Sequence, residues 1–147
     1  MTEQSVIHTE NLTKHYGDVK ALVDLNLDIP AGEIFGFLGP NGAGKTTTIR
    51  TLLDEIRPTS GKASILDLDT HKKSVEIRKY IGYLPGDLAM YPNLTGRDTL
   101  TYFANLRGGV DWKYVDELAD RLKADLSKKV GDLSSGNRQK VGLSRHS

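Results

Sequence analysis

The chain has 147 residues, 37% hydrophobic and 27% charged, with 15 glycines and no cysteine, which suits one globular domain and is too short for two. Twenty basic against nineteen acidic residues leave a net charge of +1, so no global field draws nucleic acid or an anionic membrane, and any partner must be recognised locally. Without cysteine there is no disulfide framework, thiolate metal site or cysteine nucleophile, and a reducing cytoplasm is the natural setting.

The N-terminal MTEQSVIHTE carries acids where a secretory signal carries bases, so export is not expected. Ser5 to Glu10 reads as a short strand. From Ala21 to Ile29 apolar residues alternate with Asp24, Asn26 and Asp28, which predicts a half-buried strand ended by Pro30-Ala31-Gly32. Ile34-Phe35-Gly36-Phe37-Leu38 is a continuous apolar run, the pattern of a parallel strand covered on both faces. The uncharged stretch from Ile34 to Gly44 is about half the ~20 residues a membrane helix needs and holds four glycines, so no span is expected.

Lys45 to Ile56 turns helical and stops at Arg57-Pro58-Thr59-Ser60-Gly61. Ala63 to Leu66 and Tyr80 to Leu84 are predicted strands, with a short helix near Ser74 to Lys79. The lysine pairs Lys72-Lys73 and Lys128-Lys129 read as solvated surface. Thr95 with Asp98 makes a capping box for a helix through about Leu106, stopped by Gly108-Gly109. Asp111 caps a second helix, in which Trp112, Val115, Leu118, Ala119, Leu122 and Leu126 form an apolar stripe. Strands concentrate before about Leu84 and helices after it, so the expected fold is α/β, a core bearing a helical subdomain.

The chemistry sits at Gly39-Pro40-Asn41-Gly42-Ala43-Gly44-Lys45-Thr46-Thr47. This matches G-x-x-x-x-G-K-S/T between an apolar run and a helix, the pattern of a P-loop. The glycines let successive backbone N–H groups converge on phosphate oxygens, and the helix N-terminus adds its positive dipole end. Lys45 is placed for the β- and γ-phosphates, the Thr46 hydroxyl for Mg²⁺, and Thr47 for a further N–H and hydroxyl. A P-loop alone leaves kinases, GTPases, helicases and transport ATPases open. The Asn-Lys-x-Asp element of GTPases does not occur.

Leu133-Ser134-Ser135-Gly136-Asn137-Arg138-Gln139-Lys140-Val141 resembles the signature motif of ATP-binding-cassette (ABC) ATPases, usually Leu-Ser-Gly-Gly-Gln. Ser135 and Asn137 depart from that form. Leu12-Thr13-Lys14-His15-Tyr16-Gly17 resembles the family's adenine-stacking segment. Ile81-Gly82-Tyr83-Leu84-Pro85-Gly86-Asp87 is similar to its Q-loop, with Gly86 in place of the usual glutamine and Asp87 read as a plain acidic loop residue. Leu94 to Leu100 resembles the start of the helical subdomain that faces a membrane partner. Over about Val6 to Leu143 the chain is most similar to the ATP-binding subunits of ABC-2-type drug and antibiotic exporters.

The resemblance implies a P-loop NTPase domain, with a RecA-like parallel core, an N-terminal antiparallel part and an incomplete central sheet. The nucleotide core would span residues 1–87, the helical subdomain 88–136 and the signature region 133–141. It implies ATP and Mg²⁺ as cofactors, with Tyr16 on adenine, residues 39–47 on the phosphates, Thr46 on the metal, and Ser134, Ser135 and Gly136 on a γ-phosphate. The implied partners are a second ATP-binding subunit, paired head to tail, and an integral membrane permease that holds the chain on the inner face of the cell membrane, with no nucleic acid. No acidic Walker B strand follows the signature, and His146 reads as a tail residue. A chain truncated there is expected to hydrolyse ATP hardly at all, with Lys45 its only catalytic group, and to expose an apolar sheet edge. A non-catalytic nucleotide binder, or a regulatory switch unconnected with transport, is the alternative. A two-cassette ribosomal switch is too long for this chain, and a coiled-coil DNA-repair ATPase needs heptads that do not occur.

Overall fold

The computed structural model of the chain describes residues 5–86 and 88–144, so Asp87 and His146 lie outside the described residues. It divides into two compact units, the first ending at Ile81 and the second starting at Gly82.

In the first unit, β1 (Ser5–Tyr16), β2 (Val19–Pro30), β3 (Ser60–Ile65) and β4 (Leu68–Asp69) form one antiparallel sheet in the order β2-β1-β3-β4. β1 and β2 join through Gly17-Asp18, and Tyr16 pairs with Val19; a two-residue loop closes a hairpin of this kind. The ladder is bulged where Asn11 and Asp24 adopt positive φ, and polar side chains replace the lost ladder bonds. The buried Thr9 hydroxyl accepts from Leu27 N and donates to Leu25 O, both at 2.9 Å. Asn11 N donates to Asn26 Oδ1 at 2.9 Å, and Asn26 Nδ2 donates to Asn11 Oδ1 at 3.1 Å. Leu12, Leu22 and Ala63 make the core of this unit, with Leu25 and Leu52 against it. Leu52 ends α1 (Lys45–Leu52), and α2 (Ser74–Ile77) is one short turn anchored by buried Ile77.

Two predicted strands are absent. Ile34 to Leu38 has no ladder partner among the described residues, and Ile34 and Leu38 stand exposed, Leu38 by 91%. Tyr80 to Leu84 likewise carries no ladder. An apolar run states which side chains avoid water, but a strand exists only where neighbouring backbones bond to it. The parallel part of the expected core is therefore not formed among the described residues, whereas the antiparallel part is.

The second unit holds α3 (Gly96–Arg107), α4 (Trp112–Leu122), a 3₁₀ turn at Val130–Asp132 and α5 (Ser135–Ser144). Its core is Leu100, Val115, Leu133 and Val141, with Met90, Val110, Trp112 and Leu126 packed on it. The α4 stripe thus faces a core as its spacing predicts, but the helix stops at Leu122, where Lys123 takes a left-handed backbone, so Leu126 packs on that core from beyond the helix; Trp112 is a packing residue. The Arg97 guanidinium lies 4.2 Å from the Trp112 ring centroid and also pairs with Asp116.

Both caps predicted for this unit are present. Asp111 Oδ1 accepts from Lys113 N at 3.0 Å. Thr95 Oγ1 accepts from Asp98 N at 3.1 Å, and Asp98 Oδ2 accepts from Thr95 N at 3.2 Å and Thr95 Oγ1 at 2.7 Å. The Thr95 hydroxyl first, then its amide, hold the Asp98 carboxyl below the usual carboxylate range. A group with a lowered native pKa stabilises the fold above its unfolded value, and that contribution disappears as pH falls through the native one. Urea unfolding at neutral pH is expected to show a loss of about 1 kcal/mol for Thr95→Ala. The difference between wild type and Asp98→Ala should shrink toward pH 3; a difference independent of pH would contradict the cap.

Candidate functional site

The loop between Gly39 and Thr47 runs straight into α1. Ala43 N donates to Pro40 O at 3.1 Å, which closes the turn, and the first helical bond is Thr48 N to Gly44 O at 2.8 Å. A helix leaves its first N–H groups without intrahelical partners. In α1 no side chain caps them and no acidic residue stands in the first turn, so the amides of Lys45, Thr46 and Thr47 face outward with the positive end of the helix dipole. Gly44 sits at the N-cap with φ 87°. A Cβ there would fall 2.7 Å from Ala21 O and 3.2 Å from Leu22 Cδ1. This close approach seats the loop on β2.

The threonines divide by function. Thr48 and Thr51 turn their hydroxyls back to Gly44 O and Thr47 O at 2.9 and 2.8 Å and are buried. Thr46 and Thr47 make no side-chain hydrogen bond among the described residues and line the depression in front of the loop. Lys45 Nζ donates to Pro40 O at 2.7 Å and to Gly39 O. Its ammonium therefore folds back over the loop and neutralises carbonyl dipoles at its mouth.

That depression measures about 470 Å³ and is walled by Asn41, Gly42, Gly44, Lys45, Thr46 and Thr47, with Val19, Lys20 and Ala21 from β2 opposite. The three β2 residues escape sequence reasoning because they lie 18 to 20 positions before the first loop residue, Gly39, and nothing in their pattern marks them. The space and its donors, amide N–H groups, an ammonium and two hydroxyls, suit an oligophosphate. No cluster of three or more acidic or histidine side chains able to hold a metal occurs among the described residues. A Mg²⁺ ion that keeps its waters and bridges to phosphate needs only one or two protein ligands, and the Thr46 hydroxyl is placed to be one.

Tyr16 ends β1 with 46% of its surface exposed, and Lys14 Nζ lies 5.0 Å from its ring centroid. It is a surface aromatic and does not wall the loop depression. In the second unit, Ser134 to Gly136 lie at the start of α5. Ser134 Oγ accepts from Asn137 N at 3.3 Å, and Arg138 N donates to Ser134 O at 2.9 Å, so the Ser134 hydroxyl caps the helix. Gly86 O accepts from Gln139 Nε2 at 3.3 Å, a link between loop and helix that the sequence did not announce.

The ABC transporter family pattern matches residues 22–147. The bacitracin transport ATP-binding protein BcrA of Bacillus licheniformis is 41% identical over 143 residues, 96% of this chain and 47% of that protein. The ABC transporter ATP-binding protein NatA of Bacillus subtilis is 35% identical over 133 residues, 86% of this chain and 54% of that protein. A solved ABC transporter ATP-binding protein from Pyrococcus furiosus superposes with a TM-score of 0.79 at 26% identity, covering 95% of this chain and 68% of that one. The chain spans about half the length of these two curated relatives. The fold is the α/β P-loop domain of ABC ATPases. A glycine loop on an uncapped helix start, seated against an antiparallel sheet and matched by the family pattern over most of its length, places this chain in the ABC transporter family.

Proposed function

We propose that this chain is the ATP-binding component of an ABC exporter, taking Mg-ATP at residues 39–47 and working with a separate membrane subunit. The carrying observation is the set of donors gathered at the start of α1: three amides without intrahelical partners, the Thr46 and Thr47 hydroxyls, and the Lys45 ammonium held over the loop by the Gly39 and Pro40 carbonyls. The backbone from Gly39 to Gly44 would hold the phosphates through its amides. Lys45, now on the Gly39 and Pro40 carbonyls, would meet the β- and γ-phosphate oxygens, and the Thr46 hydroxyl would hold the metal. Bound Mg²⁺ supplies neutralising charge on the phosphates. Tyr16, exposed at the end of β1, offers its ring to adenine, a stacking contact of about 1 kcal/mol.

The division of the chain after Ile81 supports a nucleotide core in residues 1–87 and a helical subdomain in 88–136. Ser134, Ser135 and Gly136, at the start of α5, are proposed to meet the γ-phosphate held by a second subunit in a head-to-tail dimer. The likeness to BcrA, a bacitracin transport protein, supports an antibiotic or drug as cargo. The proposed location is the cytoplasmic face of the membrane, beside the permease.

Calorimetric titration with Mg-ATP tests this. The folded wild type should bind saturably, and Lys45→Ala should weaken binding at least tenfold without changing the circular dichroism spectrum. A folded wild type that takes up no Mg-ATP would overturn the reading.

A further inference from the structure

On the first unit, away from the loop depression, a shallow basin of about 350 Å³ is rimmed by Lys72, Lys73, Val75, Glu76, Lys79 and Tyr80. Its charges are unbalanced. Glu76 pairs with Lys73 at 3.6 Å, while Lys72 and Lys79 have no ion-pair partner among the described residues. Asp69 accepts from His71 N at 3.0 Å and Lys72 N at 2.8 Å, and its carboxylate also feels the Lys72 charge without forming an ion pair with it. The same rim carries two side chains turned to water, Val75 with 71% and Tyr80 with 67% of their surfaces exposed. Buried Ile77 roots the segment in its unit, so the lysines and the apolar pair are presented together on an ordered turn.

Exposed lysines alone are an ordinary solvated surface. Lysines interleaved with an exposed tyrosine and valine carry the chemistry of a membrane interface, where ammonium groups meet anionic headgroups and a tyrosine ring lies at headgroup depth. We propose that this rim docks on an anionic lipid surface, with Lys72 and Lys79 on headgroup phosphates and Val75 and Tyr80 against the acyl boundary. The contact goes beyond the nucleotide reading and does not rest on it. It gives the chain a membrane attachment separate from any protein subunit.

Vesicle flotation of the full chain without nucleotide tests the proposal, with phosphatidylcholine alone compared to phosphatidylcholine mixed with phosphatidylglycerol. Binding should require phosphatidylglycerol and weaken as salt screens the lysines. Each lysine near such a surface is worth about fivefold in partitioning, so Lys72→Gln with Lys79→Gln should lose more than tenfold. Val75→Ser with Tyr80→Ser should lose severalfold, because the apolar contact goes. Lys128→Gln with Lys129→Gln, on the other unit, should change nothing. All six positions are exposed, and circular dichroism should be unaltered. The proposal is overturned by no flotation on phosphatidylglycerol vesicles, by equal losses from the Lys128 and Lys129 pair, or by full binding in the Val75 and Tyr80 variant. That last result would mark a site for any polyanion, nucleic acid included. Failure here leaves Mg-ATP binding untouched, so the two readings fall separately.

Discussion

Gly44→Ala is expected to lower Mg-ATP binding by more than tenfold and to destabilise the first unit by about 2–4 kcal/mol. Two causes act together. Gly44 holds φ 87°, a left-handed backbone that costs an alanine roughly 1–2 kcal/mol. The added Cβ would also come within 2.7 Å of Ala21 O, and a backbone carbonyl of β2 cannot retreat as the end of a flexible side chain can. The loop must lift off the sheet, and the amides of Lys45 to Thr47 lose their common aim. Gly44→Asn separates the causes, since asparagine tolerates a left-handed backbone but carries the same Cβ. If the close approach dominates, both variants fail in calorimetry and in urea unfolding. Recovery of binding by the asparagine variant would show that backbone strain alone was at issue.

The second large effect is expected at Gly61, where β3 passes the bulge of β1. Its φ is 85°, and a Cβ would lie 2.3 Å from Asn11 O, 2.6 Å from Asn11 C and 2.7 Å from Glu10 O. Every obstacle is backbone, and Asn11 is itself pinned by two hydrogen bonds to Asn26. Gly61→Ala should therefore cost about 3–5 kcal/mol, near the upper end for single substitutions. In urea this appears as a lower midpoint with an unchanged slope. Gly36→Ala is the matched control: nothing lies within 4 Å of its Cβ, and it should move stability by no more than about 0.5 kcal/mol. Similar losses at Gly36 and Gly61 would contradict the close approach at the bulge.

Much of the site was legible because its chemistry is local. Gly39 to Thr47 encode a turn, a helix start and a lysine within nine consecutive residues, and local backbone preference suffices to shape them. The same holds for the capping box at Thr95 and Asp98, the Asp111 cap and the α4 stripe, where each signal and its partner lie within one or two helical turns. Failure came where the partner is distant. Ile34 to Leu38 and Tyr80 to Leu84 carry strand-like composition, but among the described residues no backbone pairs with them.

The glycine loop with its helix start, the capped starts of α3 and α4 and the family resemblance could all be read from the chain, because each rests on residues close together in it. Tertiary structure alone decided that Val19, Lys20 and Ala21 wall the loop, that Gly61 must pass Asn11, and that Gln139 reaches Gly86. It also decided which threonines keep free hydroxyls and which lysines share a rim with Tyr80. The wall, the Gly61 passage and the Gln139 link depend on contacts between residues tens of positions apart, set when a sheet closes and helices pack, while the threonines and the lysine rim involve near neighbours whose outward or inward aim is fixed by which face of their segment is buried.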